Sequence, residues 1–282
     1  MTKYGSMQMK STTANQMNRS KEYSANKISL RGSADSARVV AAEIPVSLTY
    51  NGVAHVVMML SPTDLEDFAL GFSLTEQIIS NPDELLSCEA RQVDQGYVVN
   101  CEIPKEGFVH LIEGRRNMVG QTGCGICGVV ELEHAIRKLP ELTSQTKANK
   151  AAIFTALETL EPLQSLNTET GAVHGAALVG AQGDILALRE DVGRHNAFDK
   201  LIGHAARENL AHETGFVLLT SRCSHELVQK AVVFGVPMLV SISAPTTLAI
   251  ELATCSGLTL VALARSDNVL CFNDPHGIFA ET

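Results

Sequence analysis

The sequence predicts an α/β fold, with a sheet covered by helices in the carboxyl-terminal half and a smaller α+β region before it. Three observations predict this class. Strands and helices alternate from about residue 171, an Asn-Gly pair joins two apolar runs near residue 51, and the first 40 residues contain few large apolar side chains. Because strands joined by helices usually run parallel, the alternation indicates a largely parallel sheet. We predict a tail over 1–40, an amino-terminal region over 41–145 and an α/β domain over 146–282.

The first 40 residues are rich in Ser, Thr, Asn, Lys and Met. Such a segment cannot bury enough apolar surface to offset the entropy lost on ordering. We therefore predict a disordered or loosely packed tail.

The amino-terminal region begins with a predicted hairpin. The apolar runs 44–50 and 53–60 flank Asn51-Gly52, a pair typical of tight hairpin turns. Ser61-Pro62-Thr63-Asp64 then resembles a helix start, and apolar residues at helical spacing predict a helix from about 62 to 79. Alternating patterns near 88–91 and 97–103 predict two further strands.

The carboxyl-terminal half predicts five strands, over 172–178, 184–188, 216–220, 238–242 and 258–263. Helices are predicted over 194–208 and 224–234, and a third is opened by Ala244-Pro245-Thr246. Polar turns follow the strands. Because ligands bind at the carboxyl ends of strands in such sheets, we expect these turns to face one crevice. The alternative is that each turn only caps a helix.

Several polar side chains in these turns are candidates for binding a phosphorylated ligand. Guanidinium groups and free backbone N–H groups at a helix start both suit phosphate. Arg194 is predicted at a helix start, where the alternative is a cap that pairs with Asp199. His174 lies in an apolar strand, where a hydrogen-bonded core histidine is an equal interpretation. The candidate phosphate and hydrogen-bonding partners are Arg194, Ser221, Arg222 and Arg265.

Composition excludes some classes of protein. The chain has 282 residues, a formal net charge of −9 and seven cysteines, widely scattered apart from one pair. No signal-peptide pattern is present and no apolar segment reaches about 18 residues, so we expect a cytoplasmic protein without a membrane span. The acidic balance argues against broad binding of nucleic acid.

The cysteine pair lies in Gly123-Cys124-Gly125-Ile126-Cys127-Gly128. Glycines on both sides predict a mobile loop, and the apolar spacing that follows places the pair at or before a helix start, where the thiolate is favoured. Such thiols suit sulfur carriage, disulfide exchange or metal binding. A structural zinc site needs four ligands, and the chain has no second Cys-x-x-Cys, so we expect no bound metal.

The chain resembles the FdhD family of sulfur carrier proteins that formate dehydrogenase requires. The resemblance spans about 44 to 279, and its most specific motif is the twelve-residue block 189–200. The segments that carry it are Gly123–Gly128, Thr170–His174, Arg189–Lys200, Thr220–Glu226 and Gly257–Leu260.

The resemblance implies a sulfurtransferase. By this resemblance, Cys124 accepts persulfide sulfur from a cysteine desulfurase, and Cys127 is its partner in the loop. The sulfur then passes to the molybdenum cofactor before the cofactor is inserted into formate dehydrogenase. It also implies that the bound substrate is a molybdenum-bis(guanine dinucleotide) cofactor and that the protein is a homodimer. The implied cofactor-binding segment is Leu263, Ala264, Arg265, Ser266, Asp267 and Asn268.

The family's larger domain is similar to the cytidine deaminase fold, which implies a mixed sheet covered by helices. Deaminase chemistry is not expected, because His174 is followed by Gly175-Ala176 instead of the x-Glu that a zinc deaminase needs. The chain also departs from the family at Leu263, where an aromatic residue is typical. Two other functions stay open: a thiol–disulfide redox protein, and a non-catalytic chaperone of the molybdenum cofactor.

Overall fold

The computed structural model describes residues 18–109, 111–112 and 139–280. Cys124 and Cys127 lie outside the described residues. Within the described part of the chain, none of the helices has the length and apolar character that a membrane span requires. The amino-terminal half contains strands β1 (Ser20–Ser29), β2 (Gly32–Ala41), β3 (Ile44–Tyr50) and β4 (Val53–Leu60), helix α1 (Leu65–Thr75), and strands β5 (Ser87–Val93) and β6 (Gly96–Glu102).

The elements of the carboxyl-terminal half follow in alternation. They are α2 (Lys150–Leu160), α3 (Ser165–Thr170), β7 (His174–Val179), β8 (Ile185–Asp191), α4 (Arg194–Arg207), β9 (Phe216–Leu219), α5 (His225–Phe234), β10 (Met238–Ser241), α6 (Thr247–Ser256), β11 (Thr259–Ala262) and β12 (Leu270–Asn273). The predicted strands and helices of this half are confirmed, whereas α2, α3 and β12 were not predicted.

The amino-terminal sheet has the order β4-β3-β6-β5. The predicted hairpin is confirmed: β3 and β4 are antiparallel, and the turn residues Asn51 and Gly52 have φ of 48° and 77°. Such left-handed angles are what this turn type requires. Helix α1 is shorter than predicted and spans only Leu65–Thr75. Left-handed backbone angles at Asp64 (φ 52°), before the helix, and at Gln77 (φ 57°), after it, prevent its extension in either direction.

The carboxyl-terminal sheet has the order β12-β11-β10-β9-β7-β8. Strands β9, β10 and β11 are parallel, but β7 is antiparallel to both neighbours and β12 is antiparallel to β11. The sheet is therefore mixed. The largely parallel sheet that the alternation of strands and helices predicted is wrong. The reason is connection length: the few residues between β7 and β8 allow only an antiparallel hairpin.

Helix α1 of the amino-terminal half packs directly on helix α4 of the carboxyl-terminal half. The backbones touch, because a Cβ atom at Gly71 would lie 1.8 Å from the Asp199 carbonyl oxygen, and one at Gly203 would lie 1.9 Å from that of Asp67. On its other side α1 covers the amino-terminal sheet through Phe68 and its neighbours. Helix α1 thus joins the two halves.

The described part of the predicted tail differs from the expectation. Strands β1 and β2 pair antiparallel over their whole length, from Ser20 opposite Ala41 to Ser29 opposite Gly32. Nearly all of their residues are exposed. The ribbon is attached at its base, where Arg19 pairs with Glu169 at 3.0 Å and Arg38 donates to the Thr170 carbonyl. Backbone pairing, which composition does not reveal, orders this segment.

Candidate functional site

The carboxyl ends of β9, β10 and β11 bring three of the predicted polar segments together. The Ser241 hydroxyl at the end of β10 lies 2.6 Å from the Ser221 carbonyl oxygen, in the turn after β9. On the other side, the Ala264 and Leu263 amides donate to the Ser241 and Ser243 carbonyls at 3.1 and 3.2 Å. Parallel register brings these ends to one edge. We call this edge the strand-end site.

The segment 263–268 forms a turn at this edge. Leu263 has a φ of 52°, and the Arg265 amide donates to the Asn268 carbonyl at 2.8 Å. The Arg265 guanidinium donates through Nη1 to the carbonyls of Ile242 and Ala264. Arg265, Ser266, Asp267 and Asn268 are exposed, whereas Ala264 is buried. Four predicted cofactor-binding side chains are thus accessible, and Ala264 offers only its backbone.

Arg194 and Arg222 flank His174 at the same edge. Burial lowers the pKa of His174, and the positive charges of Arg194 and Arg222 lower it further. Arg222 is exposed in the turn after β9, and Arg194 is the first residue of α4. This shift favours the neutral form of the imidazole, and the two arginines supply positive charge at this corner.

The Nε atom of Arg194 is buried, and within the described part of the chain no group accepts a hydrogen bond from it. Buried polar atoms in proteins nearly always have a partner, and an orphaned charged donor is costly. An anionic ligand at the strand-end site would supply the missing acceptor. The alternative pairing of Arg194 with Asp199 is wrong, because Asp199 binds Lys230 at 2.9 Å.

Most of the block 189–200 holds the fold together. Arg189 Nε lies 2.9 Å from Asp67 Oδ2 on α1. The Glu190 carboxylate accepts from the Leu166 and Asn167 amides at 2.8 Å. Asp191 pairs with Lys200 at 2.7 Å. Arg194 differs from these residues, because its buried Nε atom has no hydrogen-bond partner among the described residues and is available to a ligand.

His195 links the starts of two helices. Its Nε2 atom lies 2.7 Å from Glu226 Oε2 and 3.3 Å from the Ser224 hydroxyl, both at the start of α5. Burial lowers the pKa of His195, and the Glu226 charge opposes that shift. The ring therefore anchors the turn that carries Arg222.

Two buried lysines were missed by the sequence analysis. Lys200 and Lys230 are nearly inaccessible and bind Asp191 and Asp199, respectively. Burial raises the pKa of Asp199, and the positive charge of Lys230 only partly opposes that shift. The available signal was a lysine among the apolar residues of a predicted helix, as in Phe198-Asp199-Lys200-Leu201-Ile202.

Cys223 lies within the strand-end site but is not its nucleophile. The side chain is fully buried, and burial raises its pKa to about 12. A thiol in that state has almost no thiolate at neutral pH. Cys223 is therefore a structural cysteine of this edge. Among the described residues, no cluster of three or more potential metal ligands occurs.

The comparisons with known proteins agree with one another. A family model described as the FdhD/NarQ family matches residues 41–279. A sulfur carrier protein FdhD from Variovorax paradoxus is 44% identical over 241 residues, covering 86% of this chain and 87% of that protein. One from Agrobacterium fabrum is 45% identical over 240 residues, covering 85% and 89%. The crystal structure of a formate dehydrogenase accessory protein from Desulfotalea psychrophila is similar with a TM-score of 0.72, at 26% identity, covering 92% of this chain and 98% of that one.

Proposed function

Because this chain belongs to the FdhD/NarQ family, we propose that it is a sulfur carrier that serves formate dehydrogenase. In this proposal Cys124 receives persulfide sulfur from a cysteine desulfurase, and the sulfur is delivered to the molybdenum cofactor. The names of two relatives at 44% and 45% identity support the sulfur-carrier role, and that of the similar structure supports formate dehydrogenase as the recipient.

The first chemical step is a thiol exchange. The Cys124 thiolate attacks the terminal sulfur of the donor's persulfide, the donor's S–S bond breaks, and the donor leaves as a thiolate. The product is a persulfide on Cys124. Cys127 then has two possible roles: it attacks Cys124 to release hydrosulfide and leave a disulfide, or it acts as a second carrier.

The strand-end site is the proposed binding place of the cofactor, which is the substrate here. Its guanine nucleotide arms carry phosphates, and Arg194, Arg222 and Arg265 are the candidate partners. The observation that carries this assignment is the buried Nε of Arg194, which has no hydrogen-bond partner among the described residues and lies at the same edge as His174 and Arg222. Ser221 and the segment 263–268 line the same edge. Leu263 in place of the family's aromatic residue is expected to weaken stacking on the ligand.

We expect replacement of Arg222 by Ala to weaken GDP binding roughly 10- to 100-fold, because a charge-assisted hydrogen bond contributes about 1.5–3 kcal/mol. Titration calorimetry with GDP measures the effect. Arg222 is exposed, so folding should be unaffected. Arg91→Ala, at an exposed arginine of β5, is the matched control and should bind GDP normally. Equal affinity of the two variants would contradict the proposed phosphate site.

Mass spectrometry tests the sulfur-carrier role. After incubation with a cysteine desulfurase and cysteine, the peptide containing Cys124 should gain the mass of one sulfur atom, which a reducing agent removes. The Cys124→Ala variant should lose both this increment and the ability to mature formate dehydrogenase, yet bind GDP like the wild-type protein. Full maturation by Cys124→Ala would show that this cysteine does not carry the sulfur.

The same experiments separate the two alternative functions. A thiol–disulfide redox protein would form a reversible Cys124–Cys127 disulfide without acquiring sulfur. A non-catalytic chaperone would bind GDP and support maturation without either thiol. The cytidine deaminase-like fold and the homodimer remain predictions from the family resemblance, and the cytoplasmic location remains a prediction from the sequence.

A further inference from the structure

A second pair of cysteines lies in the amino-terminal sheet, outside the strand-end site and separate in sequence from the 123–128 motif. Cys88 on β5 is directly opposite Cys101 on β6 in the antiparallel register. Their sulfur atoms are 3.8 Å apart. Cys101 is 1% exposed and Cys88 is partly exposed. No step of the proposed sulfur transfer uses these two thiols.

The backbone geometry of this pair suits a disulfide. Directly opposed residues of antiparallel strands have Cα atoms about 4.5–5.5 Å apart, within the range of about 4.4–6.8 Å that disulfides span. Bond formation requires the two sulfur atoms to approach to about 2.05 Å, which side-chain rotation and small strand shifts supply. The strands themselves remain paired from Ser87–Glu102 to Val93–Gly96.

We propose that Cys88 and Cys101 form a reversible disulfide when the protein meets a peroxide. Cys88 is the more exposed sulfur, so it reacts first: it attacks a peroxide oxygen, the O–O bond breaks, and Cys88 becomes a sulfenic acid with loss of one water. Cys101 then attacks the Cys88 sulfur, the S–O bond breaks, and a second water leaves. Two thiols lose two electrons and two protons in total, and hydrogen peroxide accepts them. This inference is independent of the proposed function.

The surroundings of the pair slow its reaction with an oxidant. The hydrogen bond with Cys101 and burial both raise the pKa of Cys88, and the Glu66 charge adds to them while Arg207 opposes them. Since the thiolate is the reactive form, oxidation should accelerate as the pH rises. The pair also packs against the core beneath α1, among Phe68, Val99 and their neighbours. The disulfide would therefore lock β5 to β6 beneath the helix that joins the two halves.

Peptide mapping of the full-length chain tests the proposal. Cys124→Ser and Cys127→Ser are introduced first, so that the other pair cannot form disulfides. The protein is treated with hydrogen peroxide, its free thiols are alkylated, and it is digested with trypsin, which cleaves after Arg91 between the two cysteines. We expect the two resulting peptides to be joined, with the loss of two hydrogen atoms, and to separate on reduction. The yield of the linked peptides after a fixed time of peroxide treatment should increase with pH.

The exposed Cys255 and Cys271 serve as internal controls for the oxidant. If they are oxidised while Cys88 and Cys101 are recovered as separate alkylated or sulfinic peptides at every pH, the proposal is overturned. Adding Cys88→Ala should abolish the link without creating a new one from Cys101. Because the main measurement leaves both cysteines intact, a folding defect of that variant does not affect it.

Discussion

Replacement of Lys200 by Met is expected to destabilise the protein by about 3–5 kcal/mol, because it leaves a buried carboxylate without its counterion. Lys200 and Asp191 are both 0% exposed, and Nζ lies 2.7 Å from Asp191 Oδ2. The ammonium group also donates to the Ser61 carbonyl at 3.0 Å and lies 3.4 Å from the Thr63 hydroxyl. All three of its protons therefore have acceptors, which a methionine cannot replace.

The same carboxylate connects the two halves of the molecule. Asp191 accepts from the Ser61 amide at 2.9 Å, and from Gly193 and Asn196 at 2.8 and 2.9 Å. Ser61 immediately precedes the turn into α1, whereas Gly193 and Asn196 lie at the start of α4. Loss of Lys200 should therefore loosen α1 and also the turn that carries Arg194.

Urea unfolding measures this effect through the shift of the transition midpoint at unchanged slope. Lys147→Met, at an exposed lysine, is the matched control and should change stability by less than about 0.5 kcal/mol. The double variant Asp191→Asn with Lys200→Met should recover part of the loss, because no unpaired charge remains. If Lys200→Met is as stable as the control, the pair contributes little to stability.

Replacement of Gly203 by Ala is expected to destabilise the protein by more than about 3 kcal/mol, beyond the usual range for overpacking. In an exposed helix this change would instead stabilise by about 1 kcal/mol, because alanine has the higher helix propensity. At Gly203 the added Cβ atom would lie 1.9 Å from the Asp67 carbonyl oxygen and 2.8 Å from the Gly71 amide. Both atoms belong to the backbone of α1, so the helices must separate.

Separation would also weaken the charged contacts across this interface. Asp67 on α1 is almost completely buried and binds Arg189 and Arg207. A control is available at Gly175, where the nearest atoms to an added Cβ are 3.4 Å away, an ordinary contact. Thermal or urea unfolding should show a large loss for Gly203→Ala and a small change for Gly175→Ala. Comparable stability of the two variants would show that α1 and α4 can adjust without cost.

Local patterns predicted much of the fold because their causes are local. Asn51-Gly52 supplies two left-handed residues between apolar runs, and the structure has the corresponding hairpin. Apart from α2, α3 and β12, the carboxyl-terminal strands and helices likewise lie where apolar runs and caps predicted them. The ribbon formed by β1 and β2 was not predicted, because its polar strands are nearly all exposed and carry no burial pattern.

The strand-end site was predicted in outline. A turn that follows a parallel strand must lie at that strand's carboxyl edge, so Ser221, Arg222 and the segment 263–268 were expected together, and hydrogen bonds through Ser241 join their turns. Pairing of charges across the fold was not predictable. Asp199 binds Lys230, 31 residues away, instead of Arg194, because α4 and α5 pack with those two side chains facing each other.

The amino-acid sequence by itself determined the local elements, the edge at which the polar turns gather, and the family, since turn chemistry, periodicity and motifs act over a few residues. Only the tertiary structure decided which charges of the block 189–200 are structural and which remain available to a ligand. Burial and partner choice depend on contacts between distant segments: Asp191 is neutralised by Lys200 in the core, whereas Arg194 keeps a buried donor without a described acceptor.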